Sequence, residues 1–438
     1  MSCRRLSVFL PFLVILMACN IGNVQPSPSS TPALASTPTE RPEGNVAETD
    51  MDLPQTASTN TAEAPTSEPV PPLMSGATVA ISQIEMIDAQ TGWAVGGAKD
   101  IRARDHVLNT ADGGNTWKDA TPPDAEAGNP GGRIAVGYFW DADTAWATYY
   151  SADLTMPAYV PVVWKTRDGG ATWSPSAPLD LSGWTGQYRV SDLFFINVNT
   201  GWVLVHNGDD PDNDRIALYQ TVNGGNTWER VVDPAVKSDV QDCEKTGIVF
   251  TGPWIGWLTG DCRGTRAGVF LFQTFDGGKS WIAAKLANPG TPPGMLTTKD
   301  FSCRIQQPAF FAQRTTLMLA VECTTIYTKE TTSYLYSTEP SGWHYLPYPG
   351  GVMVVRSPGD GRVFRGDVGS GLVIGQENYI YNGMTDEWEK IGSTDWTGQF
   401  DFIDWNKGWA AARRGDAPLL MYTSDGGRTW EDLEPVIA

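Results

Sequence analysis

The sequence predicts an all-β fold, a seven-bladed β-propeller of four-stranded antiparallel blades preceded by a disordered tether, and three observations carry the prediction. One phrase recurs as TADGGNTW (110–117), TRDGGATW (166–173), TVNGGNTW (221–228), TFDGGKSW (274–281) and TSDGGRTW (423–430). A tryptophan marker, usually Gly-Trp, stands upstream of each copy in TGWAVGG (91–97), TAWATYY (144–150), TGWVLVH (200–206), IGWLTGD (255–261) and KGWAAAR (407–413). Ahead of the markers run short alternating stretches such as ISQIEMID (81–88), DLFFIN (192–197) and FDFID (400–404), β-rich and bounded by Gly, Pro or Asn. Self-similarity at a period of roughly 40 to 60 residues identifies an array of supersecondary units.

Each unit resolves into four strands in order, which in the first are ISQIEMID, GWAVGG, HVLNTA and TWKDA. YSTEPSGW (336–343) and YNGMTDEW (381–388) keep the tryptophan and lose the glycine pair, while TTLMLAV (315–321) and GRVFRGD (361–367) replace the marker, which brings the count to seven. Seven such sheets set radially make a propeller. The repeated phrase has the logic of a hairpin turn. Its acidic or amide residue (Asp112, Asp168, Asn223, Asp276, Asp425) bonds nearby backbone N–H groups, and the two glycines supply positive φ without Cβ strain. Trp117, Trp173, Trp228, Trp281 and Trp430 then each lay a ring against a neighbouring sheet, worth roughly 1.5 to 3 kcal/mol when buried.

The chain opens differently. Arg4 and Arg5 precede an apolar run that ends at Cys19, too short for a comfortable membrane span, and Leu16-Met17-Ala18-Cys19 resembles the bacterial lipobox. Residues 1–18 are therefore expected to be a lipoprotein signal peptide and Cys19 the lipidated residue, on the extracytoplasmic face of a bacterial membrane. Residues 19–75 are Pro, Ser, Thr and Ala with few large apolar side chains, a composition that cannot offset the entropy of ordering and predicts a tether. The propeller is expected over 76–438, roughly 50 residues per blade.

Net charge is −19 over the whole chain, and seven acidic against three basic residues in 1–75 leave the propeller near −15. This argues against nucleic acid and anionic lipid as partners, so the membrane is expected to be met through the anchor alone. Four cysteines remain after Cys3 and Cys19. Cys243 and Cys262 flank the first two strands of the fourth unit, and Cys303 and Cys323 take nearly the same places in the fifth, which predicts the disulfides Cys243–Cys262 and Cys303–Cys323 in an oxidising compartment.

The phrase T-x-D-G-G-x-T-W with an upstream G-W resembles the BNR or Asp-box repeat propellers, and within them the group similar to photosystem II stability and assembly factors. The resemblance implies the propeller fold over the whole repeat region. It implies little about activity, because the same turn occurs in sialidases, xyloglucan-cleaving glycosidases and receptor ectodomains. The acidic charge and the lipoprotein-like leader depart from the assembly-factor group, so a photosystem role does not carry over.

Function is expected where the units do not repeat. Thirteen positions before the marker tryptophan, or before Leu317, stand Arg133, Arg189 and Arg304, three guanidiniums at one register suited to an anionic group. WTGQY (184–188) and WTGQF (396–400) offer Trp184, Gln187, Trp396 and Gln399 as further contacts to a sugar or protein, or as packing at the channel mouth. HNGDDPDNDR (206–215) carries Asp209, Asp210, Asp212 and Asp214 but fails the EF-hand pattern, and RRGD (413–416) is too short to weigh. No cofactor or metal is called for. His106, His206 and His344 are far apart in sequence and present no His-based motif, and the F/Y-R-I-P segment of sialidases is absent. The resulting expectation is a non-enzymatic, monomeric, membrane-anchored propeller binding a protein, surface glycan or anionic ligand through its top face. The alternative is a glycoside hydrolase of the sialidase type.

Overall fold

A computed structural model describes residues 71–99, 105–123, 133–151, 161–184, 188–207, 214–263, 268–289, 295–311, 316–329, 331–339, 342–346, 353–354, 362–363, 370–374, 378–382, 387–392, 394–404 and 406–438. The expected signal peptide, Cys19, all but the last residues of the tether, Gln187, and Asp209, Asp210 and Asp212 lie outside the described residues. Among the described residues the regular elements are strands, apart from one 3-10 turn at Asp239–Gln241.

The strands form antiparallel sheets whose members follow one another in sequence, the meander expected of a β-propeller. Val79–Met86, Gly92–Ala98, His106–Thr110 and Thr116–Asp119 make the first, Arg133–Phe139 to Ser174–Pro175 the second, and Tyr188–Phe195 to Glu229–Val232 the third. Thr397–Phe402 to Glu431–Leu433 and Arg362–Val363 to Glu387–Gly392 make two more of four strands each. The strands of the fourth and fifth sequence units are continuous with one another. Asp261, at the end of Gly256–Asp261, pairs with Arg304 on Phe301–Ile305, and this one cross-strand pair of opposite charge joins them into a ten-stranded sheet.

The Gly-Trp marker has a packing cause. Gly92, Gly201, Gly256 and Gly408 each pair with the last residue of the preceding strand, Met86, Phe195, Phe250 and Phe402. Those side chains fold back over the glycine: a Cβ on Gly201 would sit 2.4 Å from the Phe195 ring, and on Gly256 2.5 Å from Phe250. The tryptophan that follows stacks on the corresponding Phe of the next sheet, Trp93 on Phe139, Trp146 on Phe195 at 3.8 Å and Trp202 on Phe250 at 3.6 Å between ring centroids. Each ring is completely buried.

The repeated turn receives the other end of this contact. In the first copy Asp112 Oδ1 accepts from Thr116 N at 2.9 Å, Oδ2 accepts from Thr116 Oγ1 at 2.7 Å, and Thr110 Oγ1 accepts from Gly114 N at 3.0 Å. Asp168, Asn223, Asp276 and Asp425 accept from the backbone four residues on in the same way. Gly113 and Gly114 take φ of 74° and 92°, as the expectation required. The carbonyls of these turns then accept indole N–H bonds from the preceding sheet: Trp146 Nε1 donates to Gly224 O, Trp202 Nε1 to Gly277 O, and Trp409 Nε1 to Gly113 O, at 2.8 to 2.9 Å. The turn is thus also a latch between sheets.

The last of these latches joins the last sheet to the first. The C-terminal strand Val436–Ile437 also runs parallel to Thr116–Asp119, Gly76 N donates to Ile437 O and Ile437 N to Ala77 O, so the two ends of the fold close on one sheet. Both disulfides form as the repeat predicted, Cys243–Cys262 and Cys303–Cys323, with Cα atoms 4.5 and 4.0 Å apart. Each closes a loop of about 20 residues and contributes about 2 to 4 kcal/mol. Disulfides form and persist in oxidising compartments, and the two point to an extracytoplasmic one. No helix among the described residues is long and apolar enough to cross a membrane.

Candidate active site

The first strands of the first, second and third sheets and of the sheet that opens at Thr397, with Val249 and residues 306–310 of the ten-stranded sheet, line a central cavity of about 450 Å³. Along these strands buried and half-buried side chains alternate, so every second residue faces the cavity. A β-bulge interrupts the alternation at Ser82 in the first sheet and Ser191 in the third, shifting the strand by one residue so that Gln83 and Asp192 come to the cavity beside Glu85 and Phe194. Tyr138, Phe310, Gln307, Gln399 and Asp401 complete the working lining.

Three carboxylates, from three sheets, therefore share one cavity: Glu85, Asp192 and Asp401. Asp401 is buried and accepts the Met86 N–H of the adjoining sheet. Asp192 Oδ1 accepts from Gln307 Nε2 at 3.0 Å, and Ser191 Oγ lies 3.4 Å from its Oδ2. The Asp192 side chain is half-buried and opens in part to the cavity. Burial pushes its carboxyl up to about 7, against the lowering effect of the bonds from Gln307 and Ser191 and of the Arg189 charge. Asp192 therefore keeps its proton to higher pH than an ordinary carboxyl does.

The glutamines hold the ring of strands in place. Gln83 Nε2 donates to Gly137 O, Gln307 Nε2 to Ile248 O, and Gln399 bonds both the N–H and the C=O of Ile84. Gln307 joins two units of the ten-stranded sheet, and Gln83 and Gln399 each bridge two sheets with a neutral amide. Tyr138 Oη does the same by donating to Phe195 O at 2.6 Å, which leaves its ring, with Phe194 and Phe310, as the apolar part of the lining.

Next to Asp192 lies a second group of polar residues, in the interior of the third sheet. His206 is completely buried; its Nδ1 is 2.6 Å from Asp214 Oδ2 and its Nε2 2.6 Å from Ser191 Oγ. Burial holds the imidazole below its ordinary value, outweighing the raising effect of Asp214. Burial alone would raise Asp214, but the bond and charge of His206 and the Lys245 charge and N–H hold it below the usual carboxylate range. Lys245 is itself buried, brought down to about 8 by desolvation against the pull of Asp214, and its Nζ donates to the backbone carbonyls of Asp214, Asp242 and Cys243.

The predicted site residues are not brought together here. Arg133 is buried, its guanidinium 6.0 Å from the Tyr149 ring centre. Arg189 Nη2 lies 3.3 Å from His206 Nδ1, and Arg304 is exposed on its strand. None of the three lines the central cavity. Trp184 is half-buried against the core around Trp146 and Phe195. Trp396 is buried, edge-on to Trp430 at 5.2 Å, and borders a separate cavity of about 440 Å³ with Asp395, Arg414 and Arg428. Of the residues named from the sequence, Gln399 alone faces the central cavity. The cavity carboxylates stood in the stretches read as strands, eight or ten positions before the marker tryptophan: Glu85 in ISQIEMID, Asp192 in DLFFIN and Asp401 in FDFID. A charge inside an otherwise apolar strand was the available signal. Among the described residues no cluster of three or more His, Cys, Asp or Glu could hold a metal ion.

No protein-family model matches the chain, and no curated protein matches it. Among solved structures it is similar to YCF48 from Cyanidioschyzon merolae, at 14% identity over 82% of this chain and 98% of that one, with a TM-score of 0.43. It is similar also to the α-L-arabinanase of Penicillium chrysogenum complexed with arabinobiose, at 14% identity over 69% and 93%, TM-score 0.40. A third is an α-L-arabinofuranosidase from Fusarium graminearum in complex with an iminosugar inhibitor, at 16% over 68% and 90%, TM-score 0.38. Likeness at this level speaks to the β-propeller fold alone. The expectation of a non-enzymatic, partner-binding propeller gains no support from these structures, several of which are glycoside hydrolases, and it is not carried further. The chemistry has to be read from the cavity.

Proposed function

We propose that this protein is a glycoside hydrolase whose site is the central cavity, with Asp192 as the proton donor to the departing sugar oxygen and Asp401 or Glu85 as the partner carboxylate. One observation carries the reading: three carboxylates from separate sheets face a single cavity, in surroundings that differ enough to separate an acid from a base. Glycosidic cleavage needs that division of labour, one carboxyl protonated at the working pH and one ionised across the scissile bond. Tyr138, Phe194 and Phe310 supply rings against which a sugar face can pack. Among the described residues no Lys or Arg lines the cavity, which favours an uncharged sugar and speaks against the sialidase-type arginine set.

The wider reading is a seven-bladed propeller of Asp-box type, with the ten-stranded sheet counted as two blades and the chain held at a bacterial membrane through a lipid on Cys19. The continuous repeat across residues 91–430 and the leader ending at Cys19 support it. Turnover of a panel of chromogenic neutral glycosides tests the activity. Asp192→Asn is expected to lower turnover by about 10²- to 10⁴-fold, the usual contribution of a positioned general acid. A panel without turnover, or an Asp192→Asn variant as active as the parent, refutes it.

A further inference from the structure

We propose that Ser191, His206 and Asp214 form a nucleophilic relay that opens on the same cavity and hydrolyses small O-acyl esters. Ser191 is the bulged residue of Tyr188–Phe195, half-buried, and it lines the cavity. Bulges re-aim side chains and concentrate beside active sites. Its Oγ is 2.6 Å from His206 Nε2, and His206 Nδ1 is 2.6 Å from Asp214 Oδ2. A nucleophile, a base within hydrogen-bond reach and a third group orienting that base are the elements of acyl-transfer catalysis, recognised by geometry whatever their order in the chain.

The bonding fixes the useful tautomer. Asp214 accepts from Lys245 N at 2.9 Å as well as from the imidazole, so it takes the Nδ1–H and leaves Nε2 to accept the Ser191 proton. Arg189 Nη2, a donor 3.3 Å from the same Nδ1, competes for that nitrogen, but the Asp214 oxygens at 2.6 and 2.9 Å are closer and take its hydrogen. The other bulged hydroxyls make a useful contrast. Ser82 Oγ donates to Val95 O at 3.0 Å, and Thr246 Oγ1 donates to Thr259 Oγ1 at 2.8 Å, both neutral partners that serve the strand. In the third sheet the partner is an imidazole backed by a buried carboxylate and lysine, an arrangement that a strand does not need for its own stability.

The reaction balances without a further reagent. Ser191 Oγ attacks the acyl carbon as its proton passes to His206 Nε2; the ester C–O bond breaks and the alcohol leaves with that proton. Water then attacks the acyl-serine, giving a proton to His206, and the carboxylic acid departs as Ser191 regains it. The inference does not depend on the glycosidic one, since Asp192 and Ser191 are separate groups with separate assays.

The test uses the folded chain with a fluorophosphonate probe and 4-nitrophenyl acetate. A single label on Ser191, mapped by peptide mass spectrometry, and ester turnover at least a hundredfold above Ser191→Ala are expected. Turnover should stay level above neutral pH and fall on the acid side of the ordinary histidine range as His206, packed among Asp214, Lys245, Arg189 and Ser191, takes a proton. His206→Gln leaves a buried site remade and need not fold, so the small Ser191→Ala change and the pH profile decide. An unlabelled Ser191, a label elsewhere, or equal turnover by Ser191→Ala overturns the proposal.

Discussion

Replacing Asp192 by Asn should stabilise the fold in alkaline solution while leaving it unchanged in acid. In the folded chain the Asp192 carboxyl titrates near 7, against 3.8 ordinarily, so the native state holds this proton more tightly than the unfolded chain does. The stability it contributes is full below about pH 3.8 and is lost as pH rises to about 7. Roughly three pH units at about 1.4 kcal/mol each give on the order of 4 kcal/mol as the ceiling. Asn keeps an acceptor for Gln307 and carries no charge to desolvate. The gap in melting temperature between variant and parent should therefore be near zero at pH 4, widen through pH 5 and 6, and level off above pH 7. At about 2 °C per kcal/mol for a large domain the plateau is up to about 8 °C. Melting the two proteins in parallel across this range cancels every other titrating group. Curves that stay parallel would refute the reasoning, because they would mean that Asp192 ionises in the cavity at little cost.

Two further outcomes follow from the fold and the leader. Trp202→Ala removes a fully buried ring stacked at 3.6 Å on Phe250 and should cost about 3 to 5 kcal/mol, whereas Trp202→Phe chiefly loses the bond to Gly277 O and should cost about 1 to 2 kcal/mol. Thermal melting that found the two equally damaging would place the latch in the hydrogen bond and not in the stack. Cys19→Ser should release the protein from membranes into the soluble fraction, and mass spectrometry of an unmodified Cys19 in the mature parent would end the anchoring proposal.

Much of the fold was legible because its signals are local. The turn phrase needs an acceptor, two positive-φ glycines and a ring within eight residues, and each copy of it could be read by itself. The disulfides were legible for a related reason: matched places in adjacent units left little choice of partner. The latch was not, since Trp146 and Gly224, or Trp409 and Gly113, meet only after the chain has turned through a whole sheet. Counting thirteen back from the marker picks arginines that lie outside the cavity lining, whereas the lining carboxylates stand eight or ten back, and in the third sheet the bulge at Ser191 sets which of them faces inward. Ser191 and His206 lie on adjacent strands and Asp214 just ahead of a third, and the bulge at Ser191 brings the serine to the imidazole.

The tryptophan latches have a consequence for chemistry far from them. A hoop of staves takes its bore from the joints at its circumference, and here those joints are the Trp–Phe stacks and the indole bonds to the turn carbonyls. With the last stave fastened to the first, the sheets on either side of that joint cannot lean independently. The width of the cavity is therefore tied to rings that do not line it, Trp146 and Trp202 among them. Substitutions at the joints should tune what the bore accepts before they unfold the hoop.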